Sequence, residues 1–356
     1  MTAAPVPRYG VSRDELVKLL AGQPRYRVDQ IWTGLYEQLA TPQELTALPM
    51  ALRTQLDEAL PLALHPVTEQ ASDRGETVKW LWALADGTQV ETVLMHYNDR
   101  STVCVSSQAG CAMGCTFCAT GQAGFDRQLS AGEIIEQVVR AGRRARDDGR
   151  RLSNVVFMGM GEPLANYDPT WASVERLHAD VGLSARHLTV STVGIVPGIR
   201  RLAAEALPVN LAVSLHAADD ELRNELVPIN RRYPLSTLMD ACAGYLLAKG
   251  RRLSFEWALI DGVNDRDGDA QLLVERARCL PLPAHVNLIP LNPTPGYAVR
   301  GSPARRVREF RDLLRRGGVN ATVRRTRGTE IDAACGQLRA THQTQVAAPV
   351  TLRSRR

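Results

Sequence analysis

The sequence contains no uninterrupted apolar run of 18 residues, the length that a helix needs to cross a membrane. Residues 1–7 have neither the charged start nor the apolar stretch of a secretory signal peptide. The seven cysteines are odd in number and lack the regular spacing of a disulfide framework. These absences argue against a membrane-spanning protein or a disulfide-stabilised secreted one, and they predict a cytoplasmic protein whose thiols stay reduced.

The composition is that of a folded globular chain. Hydrophobic residues make up 44% of the 356 residues, which is enough for a full core and argues against disorder. The length accommodates one large α/β domain and a smaller appendage. The net charge is only +5, so the distribution of charge along the chain is more informative than its sum.

The pattern of apolar residues predicts three kinds of structure in order. Residues 11–60 have helical periodicity, and Ser12 with Glu15 forms a capping-box pattern before an apolar run. Residues 77–84 and 89–95 alternate like strands on either side of the turn Asp86-Gly87, which predicts a β-hairpin. Beyond residue 100, strands alternate with helices, and strands joined by crossover helices form a parallel sheet.

The predicted fold class is α/β, with a partial parallel (β/α) barrel as its core. The expected divisions are a helical accessory domain at 1–62, a β-hairpin extension at 63–97, the barrel at 98–340 and a flexible tail at 341–356. The predicted parallel strands are 102–106, 154–158, 187–192, 209–215, 253–260, 285–291 and 320–325.

The most informative feature is a trio of cysteines, Cys111, Cys115 and Cys118, with the spacing C-x3-C-x2-C. Thiolates favour iron–sulfur clusters, zinc or copper(I). A four-iron cluster normally has four cysteine ligands, so three would leave one iron open to bind and reduce a substrate. Because structural zinc sites usually have paired C-x2-C motifs, the spacing favours a cluster over zinc.

The other unusual motifs follow predicted strands at their carboxyl ends. They are Gly159-Met160-Gly161-Glu162, Ser191-Thr192, Ser214-Leu215-His216, the segment from Asn292 to Gly296, and Cys335. In a parallel barrel these ends gather on one face, where active sites lie. The sequence therefore predicts one site built from all of them.

Two of these motifs have more than one interpretation, and Glu91, on the predicted hairpin, has an ordinary one. Gly159–Glu162 is too short for a dinucleotide fingerprint, and it could be an ordinary glycine turn or a grip for an ammonium group. His216 could contact a ligand or be a hydrogen-bonded core histidine. Taken alone, Glu91 is expected to be a solvent-facing charge on a hairpin strand.

The remaining cysteines fall into two groups. Cys242 and Cys279 have apolar, helical surroundings in sequence and are predicted to be core residues. Cys104 lies seven residues before the trio, and Cys335 has small neighbours and follows a run of arginines that would favour its thiolate. These two are candidate reactive thiols, and either could instead be a fourth cluster ligand.

Positive charge is concentrated near the carboxyl terminus. Ten arginines and only two acidic residues lie between Arg300 and Arg327. The guanidinium group suits phosphate, so this stretch predicts contact with a polyanion, and RNA is the leading candidate. The alternative is a solvated helix face.

The cysteine trio followed by Gly-Glu after the next strand resembles the radical S-adenosylmethionine (SAM) superfamily. Within it, residues 10–340 resemble the dual-specificity ribosomal and transfer RNA adenine-C2 methyltransferases. The motifs that show this resemblance are residues 90–93, 104–111, 157–163, 191–192, 214–216, 287–293 and 324–337.

The resemblance implies the following site. Cys111, Cys115 and Cys118 would hold a [4Fe-4S] cluster, and SAM, used twice per turnover, would be held by Gly161, Glu162, Ser191, Ser214, Leu215, His216 and Asn292. Cys335 would carry the methyl group as S-methylcysteine, and Cys104 would resolve the adduct through a transient disulfide. Glu91 would accept the ring proton, although Cys104 is a competing assignment.

The resemblance also implies partners and leaves alternatives. The expected substrates are 23S rRNA and tRNA, with an extruded base entering the barrel mouth. The amino-terminal helices and the arginine-rich stretch are the expected RNA contacts, a flavodoxin-type protein the expected electron donor, and a monomer the expected state. The alternatives are an adenine-C8 rRNA methyltransferase and a non-catalytic, zinc-containing RNA-binding module.

Overall fold

The structure is a computed structural model that describes residues 6–291 and 300–324. Three helices come first: α1 (Arg13–Leu19), α2 (Tyr26–Tyr36) and α3 (Met50–Ala59). The predicted capping box at α1 is present, because the Ser12 amide donates to the Glu15 carboxylate at 2.7 Å and the Glu15 amide donates to Ser12 Oγ at 3.2 Å. These hydrogen bonds satisfy backbone groups that a helix start leaves unpaired.

Three antiparallel strands follow: β1 (His65–Ser72), β2 (Thr77–Ala83) and β3 (Gln89–His96). The predicted hairpin therefore forms, and Gly87 in its turn has φ +82°, a conformation that suits glycine. Strand β3 pairs on its other side with β4 (Ser101–Cys104), which joins the hairpin to the rest of the sheet.

The remaining elements alternate as the sequence predicts. A small two-stranded sheet consists of β5 (Gln108–Gly110) and β6 (Phe125–Gln128), with α4 (Ala119–Gln122) between them. The other strands are β7 (Leu152–Phe157), β8 (Leu188–Thr192), β9 (Asn210–Ser214), β10 (Leu253–Leu259), β11 (His285–Pro290) and β12 (Asn320–Val323). The other helices are α5 (Ala131–Asp147), α6 (Tyr167–Ala179), α7 (Val196–Ala204), α8 (Asp220–Leu226), α9 (Leu235–Lys249), α10 (Asp267–Arg278) and α11 (Ala304–Arg316).

One ten-stranded sheet has the order β1-β2-β3-β4-β7-β8-β9-β10-β11-β12. Every pairing from β4 to β12 is parallel, while the pairings among β1 to β4 are antiparallel. No pairing between described residues joins β12 to β1, so the barrel is partial. The predicted fold class is thereby confirmed.

The two faces of the parallel strands differ in polarity. Val103, Val155 and Phe255 are fully buried in the main hydrophobic core with residues of the surrounding helices. Their neighbours Thr102 and Asn154, on the opposite face, line an internal cavity. A parallel strand covered on both faces is usually apolar throughout. The polar inner face therefore marks the barrel interior as a place for ligands.

The structure corrects two predictions made from individual residues. Cys242 is buried as expected, but Cys279 is exposed, because it is the C-cap residue of α10 and lies at the end of the helix. Glu91 is buried, not solvent-facing, because β3 lies between β2 and β4 and its inner face is covered.

The predicted domain divisions remain predictions, and the expected tail at 341–356 lies outside the described residues. Among the described residues, no helix is both long and apolar enough to span a membrane.

Candidate active site inside the barrel

The cysteine loop, residues 111–118, connects β5 to α4 and is fixed by backbone hydrogen bonds at both ends. The Cys111 amide donates to the Gly124 carbonyl at 2.7 Å, and the Cys118 amide donates to the Cys115 carbonyl at 3.1 Å. Gly110 precedes the loop with φ +78°, and a Cβ there would overlap the Gly124 carbonyl oxygen. Only glycine fits this position, so the loop enters the site along a fixed path.

All three loop cysteines line one cavity of about 280 Å³. Cys115 is buried in a small hydrophobic cluster, against which Met113, Phe117 and Ile229 pack. Burial raises the pKa of Cys111 to about 12 and raises that of Cys115 as well. Because these thiols resist ionisation in their apolar surroundings, a bound metal centre must supply the positive charge that stabilises their thiolates.

The donor set fits an iron–sulfur cluster in its chemistry. Three cysteine sulfurs from one short loop face a shared cavity, and thiolate is the usual ligand of such clusters. Within residues 6–291 and 300–324, no group of three or more His, Cys, Asp or Glu side chains is arranged to hold a metal ion. A four-iron cluster does not need its cysteines to converge on one metal ion, since each cysteine binds a different iron. The loop would hold the cluster through Cys111, Cys115 and Cys118.

Two glycines after β7 allow the chain to pass close to residues 105–108, which precede the cysteine loop. A Cβ on Gly159 would lie 2.6 Å from the Val105 carbonyl oxygen, and one on Gly161 would lie 2.5 Å from Gln108 Cβ. Gly161 also has φ +98°. Larger residues are excluded, so both glycines keep the segment packed against residues 105–108 while it lines the cavity.

Glu162 is buried at the edge of the same cavity. One carboxylate oxygen accepts from the Leu164 amide at 3.0 Å, and the other accepts from the Val193 amide at 2.8 Å. Burial raises the pKa of Glu162 to about 7, although these amide hydrogen bonds oppose the shift. A buried carboxylate of this kind favours a cationic neighbour, so the predicted grip on an ammonium group is chemically suited to this position.

His216 also lines the cavity, and its orientation is fixed. Its Nδ1 accepts a hydrogen bond from the Ala258 amide at 3.0 Å, which leaves the ring proton on Nε2 when the ring is neutral. Burial lowers the pKa of His216 to about 3, so the ring is neutral at pH 7. The ring contacts Phe117 of the cysteine loop edge-on, with centroids 4.6 Å apart. His216 is therefore hydrogen-bonded, as one interpretation expected, and it lines the cavity, while its contact with a ligand stays a prediction.

A buried arginine that the sequence did not single out fixes the neighbouring chain segments. Arg223 donates to the carbonyls of Leu215 at 3.0 Å, Val193 at 2.7 Å and Ser214 at 3.2 Å. Its burial lowers its pKa to about 10. Arg223 thereby ties the carboxyl ends of β8 and β9 together behind the cavity.

Glu91 and Cys104 lie on the barrel wall beside the cavity. In the strand pairings Glu91 is opposite Leu81 and Cys104 is opposite Val93, so Glu91, Val93 and Cys104 point to the same face of the sheet. Lys79, on the same face, forms an ion pair with Glu91 at 3.0 Å, and both side chains are fully buried. No sequence pattern singled out Lys79, because a lysine on a hairpin strand is usually exposed.

The structure therefore brings together most of the predicted site residues. Those that line the cavity are Cys111, Cys115, Cys118, Gly161, Glu162, Ser191, Ser214 and His216. The Leu215 side chain instead packs in the hydrophobic core, between Ser214 and His216, which line the cavity. Asn292 and Cys335 lie outside the described residues.

Comparisons with known proteins agree with this arrangement. Residues 105–273 match the model of the Radical SAM superfamily. The chain is 54% identical over 334 residues to the probable dual-specificity RNA methyltransferase RlmN of Salinispora tropica, covering 90% of this chain and 88% of that protein. It is 51% identical to the protein of the same name from Chloroflexus aurantiacus, covering 94% and 93%.

A solved structure is also similar. The crystal structure of a radical SAM methyltransferase from Sphaerobacter thermophilus superimposes with a TM-score of 0.89 at 52% identity. The match covers 94% of this chain and 100% of that one.

Proposed function

The chain belongs to the family of dual-specificity RNA methyltransferases within the radical SAM superfamily, and from this premise we propose that it methylates carbon 2 of adenine in 23S rRNA and in tRNA. The observation that best supports this proposal is the single cavity shared by the three loop cysteines and the polar motifs of three successive parallel strands, β7, β8 and β9. The reaction needs a redox cofactor next to SAM, and this cavity offers sites for both.

Cys111, Cys115 and Cys118 would hold the [4Fe-4S] cluster, and Gly161, Glu162, Ser191, Ser214 and His216 would hold SAM. Glu162 suits the ammonium group of SAM, and His216 offers its Nε2 proton to an acceptor. Asn292 and the Leu215 backbone complete the proposed set. When bound, the cluster would supply the electron that cleaves SAM and so provides the radical that removes hydrogen from a methyl group.

Cys335 would carry that methyl group as S-methylcysteine, because carbon 2 of adenine is not nucleophilic and resists polar methyl transfer. Two molecules of SAM are then needed per turnover, one to methylate Cys335 and one to start the radical step. The Cys335-bound methylene radical would form a bond to carbon 2, Glu91 would accept the ring proton, and the one electron released with that proton would be taken up by the oxidised cluster. The Lys79 ion pair fixes the Glu91 carboxylate beside Cys104 on the barrel wall.

Cys104 would release the product by thiol exchange. Its thiolate attacks the Cys335 sulfur, forming the S–S bond and breaking the bond from that sulfur to carbon. The electron pair stays on the carbon, which takes up a proton and becomes the product methyl group. A thiol reductant then reduces the Cys104–Cys335 disulfide.

We further propose a flavodoxin-type electron donor, a monomeric enzyme and a cytoplasmic location. These follow from the family and from thiols that must remain reduced during turnover.

The proposal is tested by incubating anaerobically reconstituted protein with SAM, a reductant and both RNAs, followed by nucleoside mass spectrometry. The expected product is 2-methyladenosine in each RNA. If 8-methyladenosine were the sole product, the C2 assignment would be wrong. A colourless protein with one zinc ion and no iron would instead support the non-catalytic module.

A further inference from the structure

A second cavity, of about 590 Å³, lies at the opposite end of the barrel from the cysteine loop. Its lining includes residues at or just before the amino ends of five parallel strands: Thr102, Arg186, Asn210, Arg252 and His285. The volume lies within the range of small-ligand pockets, about 300–1,000 Å³. None of the motifs discussed above accounts for it.

The lining of this amino-end cavity is strongly positive. Five arginines contribute to it: Arg100, Arg186, Arg251, Arg252 and Arg324. Among the described residues that line it, the only carboxylate is that of Glu256, which accepts hydrogen bonds from Asn287 at 2.7 Å and Ser254 at 3.0 Å and whose pKa is raised by burial. Within the part of the chain that the structure describes, Arg186, Arg251 and Arg252 form no ion pair with an acidic side chain. Clustered guanidinium groups without counter-charges favour an anion.

Two buried polar atoms in this lining have no partner among the described residues. His285 is 8% exposed, and its Nε2 is hydrogen-bonded to Thr322 Oγ1 at 2.9 Å, but its Nδ1 is unsatisfied. The Nε of Arg251 is unsatisfied as well, although its terminal nitrogen donates to Asn210 at 3.3 Å. Buried polar groups are nearly always hydrogen-bonded, so both atoms point to a missing polar ligand.

The amino-end cavity adjoins the active-site cavity. Met158, Glu256 and Arg324 line both cavities. Cys104 packs against Met158 and Val156, both of which form the wall of the amino-end cavity. The thiol proposed to release the methylated base therefore lies directly behind this wall.

We propose that the amino-end cavity binds a phosphate group of the RNA next to the target adenosine, with Arg186, Arg251 and Arg252 as its ligands. This inference rests on the proposed function and identifies which face of the barrel the RNA uses. An extruded nucleotide entering from this end places its base toward Cys104 while its phosphate stays among the arginines. His285 Nδ1 then faces a ligand able to pair with it, such as a ribose hydroxyl, which both donates and accepts.

An RNA phosphate fits better than a free anion, because Arg186 and Arg252 are exposed at the rim. Exposed guanidinium groups remain accessible to a chain that continues outside the cavity. A small anion would be enclosed more completely by its ligands.

The test measures the binding of a fluorescein-labelled RNA stem-loop to the full-length protein by anisotropy, over a range of salt concentrations. The variants are Arg186→Gln, Arg252→Gln and the double variant. The control is Arg200→Gln, which changes an exposed arginine on α7 outside both cavities. Circular dichroism confirms that each variant is folded.

Each cavity variant should weaken binding roughly three- to tenfold near 0.1 M salt and reduce the slope of log K against log salt by about 0.7 to 1, while Arg200→Gln changes neither. Equal effects from the control and the cavity variants would overturn the inference. Unchanged RNA binding in the cavity variants would also overturn it. If, in addition, inorganic phosphate raised the melting temperature of the wild type but not of the variants, the cavity would hold a small anion only. If the wild type binds no RNA, the proposed function fails instead.

Discussion

The buried ion pair between Lys79 and Glu91 gives the sharpest test of the hairpin's role. Both side chains are fully buried, and the Lys79 Nζ lies 3.0 Å from a Glu91 carboxylate oxygen. Replacing Lys79 with methionine removes the positive charge and keeps a long side chain of similar shape. Glu91 then stays buried without the ammonium group that lies 3.0 Å from its carboxylate, and burying a charge that has lost this partner is far more costly than the loss of the attraction itself.

The expected cost of Lys79→Met is about 3–5 kcal/mol in the free energy of unfolding. Glu91→Leu should cost a similar amount, because it removes the carboxylate that lies 3.0 Å from the buried lysine. The double variant should be much less destabilised than the sum of the two, since replacing a buried pair by apolar side chains is often close to neutral. The predicted coupling energy is therefore about 3 kcal/mol or more, well above that of an exposed pair.

Urea denaturation followed by tryptophan fluorescence measures this coupling. Two of the five tryptophans, Trp80 and Trp82, lie next to Lys79 in β2, so part of the signal comes from the hairpin. A matched control is the exposed pair Arg305 and Glu309 on α11, for which the coupling should be far smaller than for the buried pair, because solvent screens it. If the Lys79 and Glu91 variants proved additive within about 0.5 kcal/mol, the reasoning about the pair would be refuted.

Three further predictions concern the active site. Cys335→Ala should abolish RNA methylation while iron content and SAM binding remain at wild-type levels, and full activity in this variant would contradict a thiol-borne methyl group. Cys104→Ala should accumulate a covalent protein–RNA adduct visible on denaturing gels, and its absence under turnover conditions would count against a resolving thiol. Gly110→Ala should lower iron incorporation, measured per protein after anaerobic reconstitution, because a Cβ collides with the Gly124 carbonyl, whereas Gly149→Ala, whose Cβ meets nothing, should retain iron.

Much of the fold was predictable because its signals are local. Strand–helix alternation and turn residues are properties of short segments, and the structure places the seven parallel strands within about two residues of the predicted bounds. The site motifs were predictable for a related reason. A parallel sheet collects the carboxyl ends of its strands, so order along the chain implies proximity in space.

The errors arose where burial depends on distant parts of the chain. Alternation in β3 assigned Glu91 to the solvent side, but every residue of β3 from Val90 to His96 is buried, so both faces of this strand are covered. Cys279 was assigned to the core from its apolar neighbours, although the helix ends there and exposes it. No sequence pattern singled out Lys79 or Arg223, because both interact with other segments of the fold. Lys79 pairs with Glu91 on strand β3, and Arg223 donates to three backbone carbonyls.

The central claim is that one carbon passes from SAM to a thiol and then to adenine, losing one hydrogen atom on the way. The most direct test is turnover with SAM whose methyl group carries three deuterium atoms, followed by mass spectrometry of the nucleosides. The account predicts a product methyl group with two deuterium atoms and one deuterium atom in 5′-deoxyadenosine. A product that retained all three would show direct methyl transfer and would contradict the account.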